Sequence, residues 1–382
     1  MKLLYITRGF PPGRGGTENY IWEIYKRLAG RNKIEVITYF HKDRREKRGV
    51  HEVRRLKGSR NFPEFVNFMS SVAKISMKLD FDLIHAVTYP NGVSALLPKI
   101  TKGRPLVVTI HDIGYIERGV ENVSTPVKAV KGFLQEMVCN AADAIIVPSG
   151  KVKKDIMKYH GIRSGKIFIT PYGIDTKSLN PRVKRGVMRS KWGLKNDPIV
   201  LFIGMYSPKK GIEYLIRAVS EAKREIPGIK LVIAGPSLDA NYEREIRNLV
   251  DSIGLGNDVI FTGYFEERLK PNVYKDADIV VEPTLYGMGY SFACVEASAM
   301  GKPVIATKLI EEIDVVKDGV TGIVVPFRDS HAISKGIVRI LKSKKLYEKL
   351  SIGGRNFAGK LSWDECARLT ENVYRKVIGI EE

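Results

Sequence analysis

Two eight-residue segments, ADAIIVPS at 142–149 and ADIVVEPT at 277–284, follow one pattern. In each, a helical stretch ends, an aspartate opens a short apolar run, and proline with a hydroxyl residue closes it. Such a run, without polar alternation, reads as a strand buried on both faces, the kind a parallel sheet needs. KLLYITRGFPP at 2–12 and IVLFIGMYSPKK at 199–210 make a second echo, each a strand running into a loop. Strand and helix signals alternate around both pairs. The first series places strands near 2–7, 34–39, 83–85, 106–110 and 144–147, with helices at 17–29 and 62–78. The second places strands at 199–203, 230–234, 259–261, 279–281 and 304–306, with helices at 211–222 and 242–253. Residues 42–60 read as a polar, basic connection. Residues 170–197 hold no long apolar run and carry Pro171, Gly173 and Pro181, which predicts an interdomain linker.

This alternation predicts an α/β protein with two doubly wound, Rossmann-like domains. A length of 382 residues is too great for one typical core and agrees with two. Ligands of such sheets bind beyond the carboxyl ends of the strands, so the loops of both domains are expected to face each other across a cleft.

The richest stretch is PTLYGMGYSFACVEASAMGKPVIATK at 283–308. It passes Gly287 and Gly289, then reads as a helix with Ser291 as N-cap and Gly301 at its stop. Phe292, Val295 and Ala299 share one helical face. A Gly-rich loop feeding a helix start gathers unpaired amides and a partial positive charge, which suits a phosphate. Glu296, one turn in, has the chemistry to accept hydrogen bonds from a ribose diol. The competing reading is an ordinary strand-turn-helix with Glu296 exposed.

Composition narrows the function classes. Hydrophobic residues make up 44%, which excludes a mostly disordered chain. Cys139, Cys294 and Cys366 are too scattered for a disulfide framework or a zinc site, and predict a reducing, cytoplasmic setting. No run approaches the ~18 apolar residues of a membrane span, and the N-terminal apolar run is too short for a signal peptide. The net charge of +21 points to anionic partners. No zinc finger, RRM signature or arginine-rich tail accompanies it, so no specific nucleic acid is expected.

The ordered motifs resemble the retaining family 4 glycosyltransferases, with their two-Rossmann GT-B architecture. They run from PPGRGGTE at 11–18, HD at 111–112 and VPSG at 147–150 to TPYGIDTKSLNP at 170–181 and FIGMYSPKKG at 202–211. LVIAGP at 231–236, VEASAMGKPVIAT at 295–307, DGVTGIVVP at 318–326 and LSWDECARLTENVY at 361–374 complete the series. The resemblance implies an N-terminal acceptor-side domain at 1–180 and a nucleotide-sugar-binding domain at 181–358. It further implies a helix at 359–382 crossing back to the first domain.

Departure of a diphosphate from a forming oxocarbenium-like centre needs neutralised phosphate charge. Lys210 is placed for this, and the amides of Gly15 and Gly16 can approach a phosphate without side-chain interference. The resemblance implies the same roles, with Gly204, Ser291, Phe292 and Ala293 also on the donor. It implies that Glu296 binds the ribose, that Gly263, Tyr264 and Phe265 border the base, and that His111 contacts the transferred sugar. The expected substrate is a UDP-, GDP- or ADP-sugar, the acceptor being an unidentified hydroxyl, lipid-linked or glycan. The pair Asp276 and Asp278 imitates a metal-binding DxD but sits at a helix-to-strand junction repeated at Asp143, so it reads as structural. No metal or other cofactor is expected.

Three departures stand out. Met205 occupies the family's usual Arg position, Met288 replaces the first Glu of an E-x7-E pair, and Ile310-Glu311 stands where Gly-Gly is expected. They leave open a second reading, a slow or silent relative that binds nucleotide sugar. A third is a basic protein of anionic surfaces. Arg44, Arg45, Arg48, Arg54 and Arg55, followed by Phe62, Phe65 and Phe68 at helical spacing, form a candidate membrane contact peripheral to the inner leaflet.

Overall fold

A computed structural model describes the chain except for residues 12–15, 41–43, 49–50, 58–61, 114–124, 176, 287–288, 313 and 381–382. The chain forms two compact units, Met1–Gly173 with Trp363–Glu382, and Ile174–Ser362. It therefore leaves the first unit at Gly173, ahead of residue 180, and rejoins it at Trp363.

The first unit holds strands β1 (Lys2–Thr7), β2 (Lys33–Phe40), β3 (Arg44–Arg48), β4 (His51–Lys57), β5 (Leu83–Val87), β6 (Leu106–Thr109), β7 (Ala144–Val147) and β8 (Ile167–Ile169). They form one sheet in the order β3-β4-β2-β1-β5-β6-β7-β8. Among the described residues of this sheet only the β3–β4 pair is antiparallel. The second unit holds β9 (Ile199–Ile203), β10 (Lys230–Ala234), β11 (Val259–Gly263), β12 (Ile279–Glu282), β13 (Val304–Thr307) and β14 (Gly322–Val325). Its sheet is parallel, in the order β11-β10-β9-β12-β13-β14.

Both sheets reverse direction once. The first winds from β1 toward β2, then restarts at β5 on the other side of β1. The second winds from β9 out to β11, then restarts at β12 beside β9. A crevice forms at the carboxyl ends of the two strands where the winding switches. The crevices therefore lie beyond Thr7 and Val87 in one unit, and beyond Ile203 and Glu282 in the other. Helices cover the sheets, and the central strands are buried apart from Lys2 at the start of β1, as their continuous apolar runs require.

The repeated aspartate has one structural job in both units. Asp143 Oδ2 accepts from the Leu106 amide at 2.7 Å, and Asp278 Oδ2 accepts from the Ile199 amide at 2.8 Å. Each ties the mouth of its strand to the neighbouring strand. Asp276 caps the short helix Val187–Lys191, accepting from the amides of Gly186, Met188 and Arg189 at 2.5, 2.6 and 3.2 Å.

Three expectations need correction. Residues 42–60 are not merely a connection, since β3 and β4 pair there as a hairpin from Arg44↔Arg55 to Arg48↔His51. Charge hid it: among the described side chains of β4, Val53 is buried and Leu56 partly so, while Arg54 reaches Glu52 at 3.0 Å. The linker 170–197 contains the helix Val187–Lys191, anchored by an aspartate far along the chain. Phe68 belongs to no exposed stripe. It is fully buried, stacked on Tyr39 with ring centroids 3.7 Å apart, because the helix Phe62–Ser76 turns Phe68 and Val72 inward together. The side chains of Arg44, Arg45, Arg48, Arg55, Phe62 and Phe65 lie outside the description.

The C-terminal helix, Trp363–Ile378, packs in the first unit against the helix Gly16–Leu28. Arg27 pairs with Asp364 at 2.6 Å, and Asn32 donates to Glu371 at 3.0 Å. Beside these ties runs a buried polar chain. The hydroxyls of Tyr5 and Tyr374 meet at 3.1 Å, Tyr374 reaches His85 Nδ1 at 2.6 Å, and His85 Nε2 meets Thr109 Oγ1 at 2.7 Å. Burial, and secondarily His111, push the His85 pKa down to about 3.

Candidate functional site

In the second unit the switch-point strands bring several residues together. Beyond β9 comes Gly204, at φ 133°, and then the one-turn helix Pro208–Lys210. Gly211 follows at φ 63°, and a Cβ there would lie 2.5 Å from the Pro283 carbonyl oxygen. Only glycine lets the Lys210 loop lie against the end of β12. Leu285 donates its amide to the Lys209 carbonyl at 2.9 Å, joining the two loops directly.

Lys210 is mostly buried, and its ammonium donates to Glu282 Oε1 at 3.0 Å and Thr284 Oγ1 at 3.3 Å. Thr284 in turn donates its hydroxyl to Glu282, and its carbonyl accepts from Thr307 Oγ1 at 2.6 Å. Glu282 ends β12 with its side chain 3% exposed. A buried carboxylate there is tolerated because an ammonium and a hydroxyl satisfy it. Sequence reasoning assigned no role to Glu282, although a signal was visible: its echo position, Val147, is apolar.

The helix Phe292–Ala299 begins at Ser291, whose Oγ accepts from the Cys294 amide at 3.3 Å, the expected cap. Phe292 meets Tyr290 edge-to-face at 5.3 Å. Glu296 lies one turn in and is not free on the surface. Its Oε1 accepts from Lys270 at 3.2 Å and its Oε2 from the Tyr274 hydroxyl at 2.8 Å, while Tyr274 also reaches the Ala293 carbonyl at 3.3 Å. Burial raises the Glu296 pKa above the ordinary glutamate value, and Lys270 and Tyr274 limit the rise. Lys270 lies between Glu296 and Glu267. Neither Lys270 nor Tyr274 was foreseen, since both lie about one β-α unit upstream of Glu296.

Gly263 closes β11 at φ 59° and precedes Tyr264, whose ring is exposed, and Phe265, which packs on the core. Met205, in the family's Arg position, is 49% exposed beside Gly204. Gly15 and Met288 lie outside the described residues. Ile310 is buried.

In the first unit Gly16 is the first, exposed residue of the helix Gly16–Leu28. His111 follows β6, edge-on to Tyr20 at 5.4 Å and Tyr172 at 5.7 Å. Its Nδ1 is bonded to the Tyr172 hydroxyl, and its buried Nε2 has no partner among the described residues. Burial pushes its pKa down to about 4, so the ring is neutral at pH 7. A neutral imidazole keeps one ring nitrogen as donor and the other as acceptor.

The carboxylates of the DxD imitation are spent on backbone amides and on Arg189, 2.8 Å from Asp278. Among the described residues no group of three or more His, Cys, Asp or Glu is placed to hold a metal ion. Nor is any helix among them long and apolar enough to cross a membrane.

Comparison with known proteins agrees along most of the chain. The family described as Glycosyltransferase Family 4 matches residues 14–178, and that described as Glycosyl transferases group 1 matches 184–357. A D-inositol 3-phosphate glycosyltransferase of Thermomonospora curvata is 25% identical, over 94% of this chain and 90% of its own. Sucrose-phosphate synthase from Thermosynechococcus elongatus shares the fold with a TM-score of 0.85 at 22% identity, over 100% of both chains. HepE from Anabaena, solved in complex with UDP, does so with a TM-score of 0.81 at 19% identity, over 98% of this chain and 100% of its own. With a matching model on each half and two parallel α/β units, the chain belongs to the family 4, group 1 glycosyltransferases of the GT-B fold and is a glycosyltransferase enzyme.

Proposed function

We infer that the protein transfers a sugar from a nucleoside diphosphate sugar to an acceptor hydroxyl, with retention of anomeric configuration. The observation that carries this is the position of Lys210, with Gly204 and Gly211, at the switch point of the second sheet. There the ammonium stabilises the leaving diphosphate, helped by the amides at the start of the helix Phe292–Ala299. Glu296, steadied by Tyr274 and Lys270, accepts the ribose hydroxyls. Gly263, Tyr264 and Phe265 border the base. His111 offers its unpartnered Nε2 to the transferred sugar. UDP is the favoured nucleotide, because HepE was solved with it. No metal takes part in this reading, which rests on the engagement of both DxD carboxylates elsewhere.

A second reading, nucleotide-sugar binding with slow transfer, draws on Met205. An exposed thioether stands where a guanidinium would pair with phosphate, and it offers no donor. Nucleoside diphosphate release across UDP-, GDP- and ADP-sugars tests both readings, for the native chain and for Met205→Arg. Native turnover with one donor supports the enzyme reading. Turnover gained only in Met205→Arg supports the second. No release by either chain from any donor would contradict the first.

A further inference from the structure

Glu282 is a buried titratable group at the switch point for which the reading above has no use. Its carboxylate ends β12 at the switch point and touches the ammonium assigned to the diphosphate, at 3.0 Å. A structural carboxylate would normally be placed away from a site that must attract two phosphates. Here it is fixed beside one, held by Thr284 and through it by Thr307.

We propose that Glu282 is a positioning residue that aims Lys210 and tempers its charge, so that the site releases the nucleoside diphosphate product. The inference rests on Lys210 being a diphosphate contact. In the empty protein the carboxylate keeps the largely buried ammonium paired, which spares the site an uncompensated charge. When the diphosphate arrives, Lys210 interacts with two anions at once. The carboxylate offsets part of the attraction, and it does so equally for substrate and product. With an arginine missing at 205, Lys210 has a large share of the hold on the phosphates, so its partner sets how long the product stays.

The test is UDP affinity at pH 7 by calorimetry, with thermal unfolding as a control for the fold. Glu282→Gln keeps an oxygen for the ammonium and removes the negative charge. It is expected to bind UDP about three- to tenfold more tightly than the native chain. Lys210→Ala is expected to bind more weakly, and Lys210→Ala/Glu282→Gln to recover part of that loss, because the stranded carboxylate is gone. A merely structural glutamate would weaken binding in both backgrounds. Unchanged or weaker UDP binding by Glu282→Gln, or loss of its fold, overturns the proposal while leaving Lys210 as a diphosphate contact. Unchanged affinity in folded Lys210→Ala removes the reading of Lys210 itself, and this inference with it.

Discussion

Tyr274 donates its hydroxyl to Glu296 at 2.8 Å, so the carboxylate assigned to the ribose is aimed by a neutral donor from a different helix. Lys270 holds its other oxygen, with Glu267 beside Lys270. The ionised carboxylate is the stronger acceptor for a pair of hydroxyls, and burial places its pKa above that of free glutamate. Affinity for a UDP-sugar, whose diphosphate does not titrate in this range, should therefore fall as pH is lowered toward that raised value. The loss should begin above the pH at which an ordinary glutamate protonates. Because Tyr274 favours the ionised form, Tyr274→Phe should move the midpoint to higher pH. Calorimetry from pH 8 downward reads this, and a loss beginning no earlier than for an ordinary glutamate, with the same midpoint in both chains, would contradict it.

Asp276 is assigned to architecture. Removing its three amide contacts in Asp276→Ala should cost about 1–2 kcal/mol of stability, the scale of a lost helix cap. UDP affinity should stay within about twofold. Denaturant unfolding and calorimetry on the same variant separate the two effects. Likewise, EDTA should leave donor turnover unchanged, and abolition by EDTA with recovery on adding a divalent cation would return the DxD imitation to the site.

His85 and His111 make the first unit acid-sensitive. Both pKa values are depressed by burial, to about 3 and about 4, so the unfolded chain takes up these protons first. Stability from keeping the rings neutral is complete above the free histidine value of about 6.5. It is lost as pH falls through the window down to the folded values, with a slope of about 1.4 kcal/mol per pH unit for each histidine. His111→Asn should lower that slope by about one proton between pH 6 and 5. Unfolding free energies measured across this range check it, and an identical slope in the variant would contradict the assignment.

The parts of the fold legible in sequence are those whose signal is local. Buried parallel strands such as Ala144–Val147 and Ile279–Glu282 announce themselves by apolar runs, and Ser291 by its place ahead of a helix. What escaped depends on distant partners. The hairpin Arg44–Lys57 looks like a charged loop until β2 is beside it. Phe68 looks exposed at helical spacing, since periodicity gives a face without saying what the face meets. At the site, Lys210 and Glu296 carry motifs, whereas Glu282 becomes visible only when the sheet brings the ends of β9 and β12 together, and Tyr274 and Lys270 only when their helix packs beside that of Glu296. His111 was legible as a residue, but its bond to Tyr172 spans 61 positions.

The central claim is that the second unit's switch point holds a nucleoside diphosphate, and it is tested most directly by titrating UDP into the native chain and into Glu296→Ala. Losing a charge-assisted contact in a largely buried position should cost about 1.5–3 kcal/mol, roughly a 10- to 100-fold rise in Kd, with the variant still folded. Saturable binding by the native chain and that weakening in the variant are the results predicted here. Equal affinity in the two folded proteins, or no binding by either, would contradict the account.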